Sequence, residues 1–182
     1  EINSDQCDNM KLNYMPDMFD YIGLIIWLYG FIVESVSDQQ KLNYWLDKRD
    51  NKLLFCNVGL WKYSRNPNFA GEIILWFGLS IFTINNIIKY YDVSNPLIIV
   101  APLVSPIFTG YVLLRLSGVN FHEWKDQKIC GNDPKYIEYR NNTSPVWPCP
   151  SILYKIMPHF VKQTLMCEWK YYIRRSSKKK NM

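Results

Sequence analysis

Three apolar runs, at residues 19–33, 73–88 and 96–116, interrupt an otherwise polar chain. The third run contains Arg115 as its only charged residue. An α-helix rises about 1.5 Å per residue, so about 20 residues cross the hydrocarbon core of a bilayer. The third run is long enough by itself, and the other two are long enough once their polar ends are included. The pattern predicts membrane-spanning helices at about residues 19–36, 72–90 and 96–116.

The average composition alone would suggest a soluble protein, with 48% hydrophobic residues and a mean hydropathy of -0.17. The charges are segregated, however. Of 21 lysines and arginines, six lie between the first two apolar runs and twelve follow the third. The positive-inside rule therefore places both of these segments in the cytosol. A soluble helical protein with three buried helices is the alternative, but a soluble core would not sort its charges in this way.

We therefore predict an all-α fold, a polytopic membrane helical bundle with cytosolic loops. Residues 1–18 form an N-terminal segment, 19–150 the membrane domain and 151–182 a basic tail. The tail, which is interrupted by Pro158, is either an amphipathic helix at the membrane interface or a plain surface helix. Lys179 and Lys180 match the dilysine signal of proteins returned to the endoplasmic reticulum, with a solvated basic tail as the alternative.

Several other classes of site are not expected. The five cysteines form no CxxC pair and have no metal-like spacing with the two histidines, so we predict no metal site. Disulfides are not expected in a reducing cytosol. A hydrolase triad would need a serine or cysteine at a recognisable elbow, which we do not find. The sidedness of the charges explains the basic tail, so we predict no nucleic-acid partner.

The segment "GLWKYSRNPNFAGE", residues 59–72, places polar residues at the start of the second apolar helix. Asn66 can cap this helix and Pro67 suits its first turn. Asn68 and Glu72 are four residues apart, on one face and about one turn inside the membrane boundary, where an unpaired carboxylate is costly. An Asn and a Glu together suit a planar carboxamide, and Arg65 beside the helix start suits a phosphate. Polar capping of an ordinary helix is the alternative.

The same segment resembles the hallmark motif of the steroid 5-alpha reductase superfamily, an Arg followed by Asn-(Phe/Tyr)-x-Gly-(Glu/Asp) at the entrance to a membrane helix. The matching residues are Arg65, Asn68, Phe69, Gly71 and Glu72. The similarity continues upstream in "ESVSDQQK" and downstream in "PLVSPIFTGYVLLRLSG" and "HEWKDQKICGNDPKYIEYRNNTSPVWPCP". The similarity covers about residues 18–150. Over these residues the chain resembles a largely uncharacterised branch of that superfamily.

The resemblance implies an NADPH-dependent membrane reductase, acting on a double bond of a sterol or other lipid enone held between the helices. Asn68 and Glu72 would bind the nicotinamide carboxamide. Hydride would pass to the β-carbon of the enone, and an acid that the motif does not identify would protonate the α-carbon. The implied cofactor-binding residues are Asp38, Tyr63, Arg65, Asn68, Glu72, Arg115, Tyr136, Tyr139 and Arg140.

The chain also departs from that pattern. Asn66 stands where this branch usually has His. The superfamily carries its substrate-facing acid and tyrosine in helices that precede the position of Phe19, so we expect either a piece of a longer protein or a degenerate copy. Two other functions stay open. One is an isoprenylcysteine-type methyltransferase using S-adenosylmethionine, for which only Glu123 stands where a glutamate pair is wanted. The other is a non-catalytic membrane scaffold.

Overall fold

The computed structural model of the chain describes residues 15–47, 53–90, 95–116 and 118–168. These residues form helices without a β-strand, which confirms the predicted all-α fold. Lys179, Lys180 and most of the predicted N-terminal segment lie outside them. The helices are α1 (Met18–Leu46), α2 (Pro67–Tyr90), α3 (Pro96–Val100), α4 (Val104–Tyr111), α5 (Gly118–Cys130), α6 (Pro134–Asn142), α7 (Ser151–Ile156) and α8 (His159–Thr164), with 3-10 turns at Gly59–Lys62 and Ala101–Leu103 and a π-helical turn at Val112–Leu116.

Helix α1 begins at a capping box. The Asp17 side chain accepts hydrogen bonds from the backbone N–H groups of Phe19 and Asp20, and the Asp20 carboxylate accepts one from the Asp17 N–H in return. The helix continues to Leu46, past residue 36 where we predicted the membrane span to end. Its 29 residues make it about 44 Å long, more than a bilayer core needs, so its polar C-terminal part extends beyond the membrane.

Helices α1 and α2 form an antiparallel hairpin that is packed through glycines. Gly23 faces Gly78, and Gly30 faces Gly71, and the two glycines of each helix are seven positions apart. A Cβ atom added at Gly71 would lie 2.6 Å from the backbone nitrogen of Glu34, so the two backbones are in direct contact. Small residues permit this close approach between membrane helices, where packing rather than the hydrophobic effect drives association.

A polar cluster ties together the end of the hairpin where α1 begins and α2 ends. Lys89 Nζ lies 2.8 Å from a carboxylate oxygen of Asp20 and 2.9 Å from one of Asp17. The side-chain amides of Asn85 and Asn86 donate hydrogen bonds of 3.0 Å and 2.8 Å to Asp20 Oδ1. Asp20 is only 2% exposed, so these partners compensate a carboxylate that the fold removes from solvent.

The third apolar run is a helical path with interruptions. Pro102 and Pro106 lack the N–H groups that a regular helix would use there, and the path passes through the 3-10 turn, α4 and the π-helical turn. Ser80 Oγ of α2 lies 2.7 Å from the Pro102 carbonyl oxygen, which fixes the path against the hairpin. Helical structure resumes in α5 and continues to Cys130, beyond the predicted limit of residue 116.

In the described part of the chain, three helical segments are long and apolar enough to cross a membrane, namely Met18–Leu46, Pro67–Tyr90 and Pro96–Cys130. Only 22%, 17% and 6% of the residues in their most apolar stretches are buried inside the protein, which does not fit the soluble alternative with three buried helices. Large side chains such as Ile25 and Ile107 are 65% and 68% exposed, as expected for residues that face lipid. The chain therefore has the architecture of an integral membrane protein.

Candidate functional site

The segment 59–72 lies where the polar end of α1 meets α2, α5 and α6. Gly59 has a φ of 53°, a left-handed conformation that glycine adopts at little cost. The 3-10 turn that follows is held against α1, because Trp61 Nε1 donates to the Ser37 carbonyl at 2.9 Å and the Leu60 N–H donates to Gln40 Oε1 at 2.8 Å. This turn sets the position of Arg65 and of the start of α2.

Arg65 is the centre of a buried charge network. It is 6% exposed, and its backbone N–H donates to the Ser144 carbonyl at 2.8 Å. Its Nη2 lies 2.7 Å from Glu168 Oε2, and its Nε lies 3.1 Å from Glu123 Oε1 without the alignment of a hydrogen bond. Burial alone disfavours the charged guanidinium, but the carboxylates of Glu123 and Glu168 outweigh it and raise the pKa of Arg65 above its ordinary value. Arg65 is therefore a permanent cation in the interior.

Helices α5 and α6 complete this network. Arg65 Nη1 donates to the Arg140 carbonyl at 3.2 Å, while the Arg140 side chain donates to Gln127 Oε1 at 3.0 Å. Arg140 Nε is 3.8 Å from the second oxygen of Glu123, which is 4% exposed. Glu123 thus lies between two arginines, and only one of them, Arg65, is close.

Two tyrosines of α6 pack against Phe55 beside Arg65. The ring centroids of Tyr136 and Tyr139 lie 5.3 Å and 5.0 Å from that of Phe55. Tyr139 Oη donates to the Trp61 carbonyl at 2.6 Å, which joins α6 to the turn that precedes the motif. Burial is the main cause that raises the pKa of both phenols, so each is a neutral hydrogen-bond donor near neutral pH.

A cavity of about 480 Å³ opens between these elements. Its charged lining consists of Lys41, Arg65, Lys125 and Asp126, so cations outnumber acids three to one. Aromatic side chains form much of the remaining wall. The other lining residues are Trp45, Leu54, Phe55, Cys56, Trp61, Phe121, His122, Ile129, Tyr136 and Tyr139. Such a lining suits a flat ring system that carries a negative charge.

Lys41 is the cation that most clearly lacks an acidic partner. Its Nζ lies 4.4 Å from the centroid of the Trp61 ring and 3.4 Å from His122 Nδ1. Among the described residues, no ion pair within 4.0 Å joins it to a carboxylate, although the Asp126 charge acts on it from a greater distance. An ammonium group held between an aromatic ring and an imidazole is available to an anion that enters the cavity.

Asn68 and Glu72 lie on α2, outside the wall of this cavity. Both are half-buried, and Asn68 Oδ1 is a buried atom without a hydrogen-bond partner. Asp38 of α1 is exposed and close enough to Glu72 for their charges to interact. The charges of Glu72 and Asp38 also act on Glu34 of α1. The two helices therefore bring Asp38 to the same side as the predicted carboxamide pair.

Tyr63 and Arg115 are two further predicted site residues that do not line the cavity. The Tyr63 side chain is 46% exposed, and its carbonyl accepts a hydrogen bond of 3.0 Å from the Cys149 N–H. Arg115 belongs to the π-helical turn, and its charge acts on the thiol of Cys167. Neither lines the cavity, so the structure gathers Arg65, Tyr136 and Tyr139 there and leaves the other six predicted residues around it.

The expectation that the Asn66 side chain caps α2 is wrong. Helix α2 does begin at Pro67, but Asn66 Nδ2 donates to the Pro145 carbonyl at 2.9 Å and Asn66 Oδ1 has no hydrogen-bond partner. The residue is 1% exposed, and its side chain binds the loop at 144–146 instead of the free N–H groups at the start of α2. Asn66 thus binds two segments together instead of satisfying the helix terminus.

Five buried side-chain atoms in the described part of the chain lack a hydrogen-bond partner, and all belong to the starts of α2 and α5. Those two starts are in contact, because Ala70 packs against Val119 and the Phe69 ring lies 5.3 Å from that of His122. Buried polar groups are normally paired, so a cluster of unpaired ones indicates a place for water or a ligand. The atoms are Arg65 Nε, Asn66 Oδ1, Asn68 Oδ1, Asn120 Oδ1 and Glu123 Oε2.

The segment after Pro150 folds back onto the motif. Cys167 is 6% exposed and packs with Ala70, Val119 and Val146, while Tyr154 is 2% exposed. Tyr154 Oη donates to Glu168 Oε2 at 2.6 Å, the same oxygen that lies against Arg65. The first part of the predicted basic tail therefore contributes side chains to the buried charge network.

The sequence profile of a family described as a protein of unknown function, DUF1295, matches residues 6–143. The chain belongs to the DUF1295 family. Neither a search of curated proteins nor one of solved structures found a match. The matched region of this DUF1295 chain contains the motif and every residue that lines the cavity, whereas Tyr154, Cys167 and Glu168 lie beyond it.

Sequence reasoning assigned no site role to the charged cavity residues Lys41, Lys125 and Asp126 of the DUF1295 chain, or to His122. Lys41 is one of the six basic residues between the first two apolar runs, which were considered only for the sidedness of their charge. One signal was available, because Lys41 follows Asp38 and Gln40 in a polar helix end that leads toward the motif. Among the described residues, no cluster of histidine, cysteine or acidic side chains suits a metal ion.

Proposed function

We propose that this DUF1295 chain is part of an NADPH-dependent membrane reductase of the steroid 5-alpha reductase type, which acts on a double bond of a sterol or other lipid enone. The observation that carries the proposal is the cluster of unpaired buried polar atoms beside a cationic, aromatic cavity. A buried polar atom without a partner, such as Asn68 Oδ1, and a cation without an ion pair among the described residues, such as Lys41, cost stability, which a phosphate-bearing dinucleotide would restore on binding.

The residues present fit such a cofactor. A phosphate needs cations and N–H donors, which Lys41, Arg65 and Lys125 supply in the cavity wall. An aromatic base needs flat surfaces, which Trp61 and Tyr136 provide. Asn68 Oδ1 is a free acceptor of the kind that a carboxamide N–H requires.

In this mechanism the residues of the chain bind and orient, while the cofactor supplies the hydride when it is bound. Asn68 and Glu72 would accept hydrogen bonds from the nicotinamide carboxamide and so orient the ring. Arg65 would hold phosphate, and Glu123, 3.1 Å from Arg65 Nε, keeps the guanidinium of Arg65 in place. Tyr139 closes the site from α6 through its hydrogen bond to Trp61. The remaining predicted residues, Asp38, Tyr63, Arg115, Tyr136 and Arg140, surround these groups.

The segregation of charge supports a cytosolic site. The six basic residues between the first two spans and the twelve after the third belong on the cytosolic side under the positive-inside rule. The NADPH pool of the cytosol is then accessible to the cavity, and the apolar helix faces give a lipid substrate access from the bilayer.

The test is a titration of the purified protein in detergent with NADPH, NADH and S-adenosylmethionine, in which isothermal calorimetry measures the binding of each. We expect the wild-type protein to bind NADPH. Glu72→Gln should lower the affinity for NADPH at least tenfold, which corresponds to a loss of about 1.4 kcal/mol in binding free energy. Glu138→Gln is a matched control, because Glu138 is exposed on α6 and lies outside the cavity wall. Failure of NADPH to bind would exclude the reductase proposal.

The same titration addresses the two alternatives. Binding of S-adenosylmethionine alone would indicate methyl transfer, and binding of none of the three would leave the scaffold. The positive charge of the cavity disfavours methyl transfer, because the sulfonium group of S-adenosylmethionine is itself a cation.

A further inference from the structure

The carboxylate of Glu168 binds an N–H group of Arg65 that could otherwise bind a ligand anion. Arg65 Nη2 makes its shortest contact, 2.7 Å, with Glu168 Oε2, and Arg65 also lines the cavity. Glu168 does not line the cavity, so it draws the guanidinium from one side while the cavity opens on another. A carboxylate and a phosphate oxygen use the same N–H donors of an arginine.

The remaining contacts show that Glu168 is presented by a docked segment. Tyr154 Oη donates to the carboxylate at 2.6 Å, and the Glu168 N–H donates to the Lys162 carbonyl at 2.9 Å. The adjacent Cys167 has a φ of 61°, an unfavourable conformation for a residue with a side chain, and its thiol is buried against Ala70. The packing of this segment thus maintains a strained backbone next to the ion pair.

Arg65 has a second acidic partner besides Glu168. Glu123 Oε1 lies 3.1 Å from Arg65 Nε, so one carboxylate would still face the guanidinium if Glu168 were displaced. Glu123 is on α5 within the matched family region, whereas Glu168 lies beyond it. The two carboxylates therefore come from different parts of the chain, one from the helical bundle and the other from the segment that follows the matched region.

We propose that Glu168 is an internal competitor, which occupies the anion-binding position of Arg65 until a phosphate-bearing ligand enters the cavity and displaces residues 151–168. The proposal rests on the proposed function for the identity of the ligand as a dinucleotide. It also predicts that the simplest anion with the same chemistry, inorganic pyrophosphate, competes with Glu168.

The first measurement is affinity on the full chain in detergent. Glu168→Gln keeps the size of the side chain and removes the competing charge, so we expect NADPH and pyrophosphate to bind about tenfold more tightly, equivalent to ~1.4 kcal/mol. Tyr154→Phe leaves the carboxylate charged but removes the hydroxyl that positions it, and we expect a smaller gain of the same sign. Glu138→Gln changes the net charge equally at an exposed site and should leave both affinities unchanged.

The second measurement does not depend on NADPH. Cys167 is buried, and burial raises the pKa of its thiol, so maleimide labels it slowly while the segment is docked. Peptide mapping should show faster labelling of Cys167 in Glu168→Gln, and in the wild type after pyrophosphate is added. Cys130, which is 2% exposed in the separate cluster with Phe55 and Tyr136, is the internal reference for global unfolding.

The outcomes separate the two proposals. If NADPH binds the wild type and Glu168→Gln with equal affinity, and Cys167 labelling is unchanged, Glu168 is a structural partner and the competition is excluded while the reductase stands. If pyrophosphate binds Glu168→Gln more tightly but NADPH binds neither protein, the competition stands and the reductase falls. If neither anion binds any variant, both proposals are overturned.

Discussion

The two ends of the α1/α2 hairpin differ in whether their buried polar side chains have hydrogen-bond partners. At the end where α1 begins, Asp20 is surrounded by Lys89, Asn85 and Asn86, and all of these side chains have partners. At the end where α2 begins, Asn66, Asn68 and three neighbouring residues retain unpaired polar atoms. The same two helices form both ends, so the difference lies in the partners that the rest of the described chain supplies at each end. Under the proposed function, the unpaired atoms are available to a ligand.

The largest effect is expected in the glycine contacts that join these two ends. In Gly30→Ala, the added methyl group would collide with the backbone of Leu75 and Gly71, which cannot move without separating the helices. We expect the free energy of unfolding to fall by about 1–3 kcal/mol. Thermal unfolding in detergent, followed by tryptophan fluorescence, measures this loss.

Gly110→Ala is the matched control for that substitution. No atom lies within 4 Å of a Cβ added at Gly110, and alanine favours a helix over glycine by about 1 kcal/mol. Its melting temperature should therefore stay the same or rise. Equal losses in the two variants would show that the hairpin does not depend on backbone contact.

The next largest effect is expected at the end of the hairpin where α1 begins, where Asp20 binds Lys89. Lys89→Met removes a cation that lies 2.8 Å from Asp20 and leaves that carboxylate buried, with the two asparagines and the Asp17 N–H as its remaining partners among the described residues. We expect a lower melting temperature and unchanged ligand binding. The loss should be smaller than for Gly30→Ala, because the carboxyl group of Asp20 can take up a proton and so avoid an unpaired charge. Lys155→Met, at an exposed site of α7, should change neither quantity.

The comparison becomes sharper at the end of the hairpin where α2 begins. There we expect a substitution to weaken NADPH binding without lowering the stability of the protein. Lys41→Met removes a cation that has no carboxylate within 4.0 Å and replaces it with an apolar chain of similar length. We expect the protein to be equally or more stable, by up to about 1 kcal/mol, while NADPH binding weakens about tenfold. A loss of stability together with unchanged binding would place Lys41 in the structural part of the molecule.

The smallest effect on stability is expected for Asn68→Ala. Its Oδ1 atom has no partner in the protein, so its removal should change the free energy of unfolding by less than about 0.5 kcal/mol. Calorimetry should still show weaker NADPH binding, since the carboxamide loses an acceptor. A clear loss of stability would mean that water or another group already uses this oxygen.

The sequence by itself determined the class of the fold and the place of the motif. The three apolar runs led to three helices able to span a membrane, and the Pro67 signal placed the start of α2 correctly. These features depend on local composition and on a helical rise that is the same in every protein, so they can be read without knowledge of contacts. The ends of α1 and α5 were not predicted, because polar helix that leaves the membrane lacks the apolar signal.

Only the tertiary structure decided which side chains meet. Gly23 and Gly78 are far apart in the sequence, and nothing local indicates that their backbones touch. The Asn66 side chain has two choices of partner, and the proximity of the Pro145 carbonyl decides between them. Lys41, Arg65 and Glu168 carry charges that the sequence displays plainly. Whether such a charge is solvated, paired or left for a ligand depends on distances of a few ångströms between helices, and only the packed chain specifies those distances.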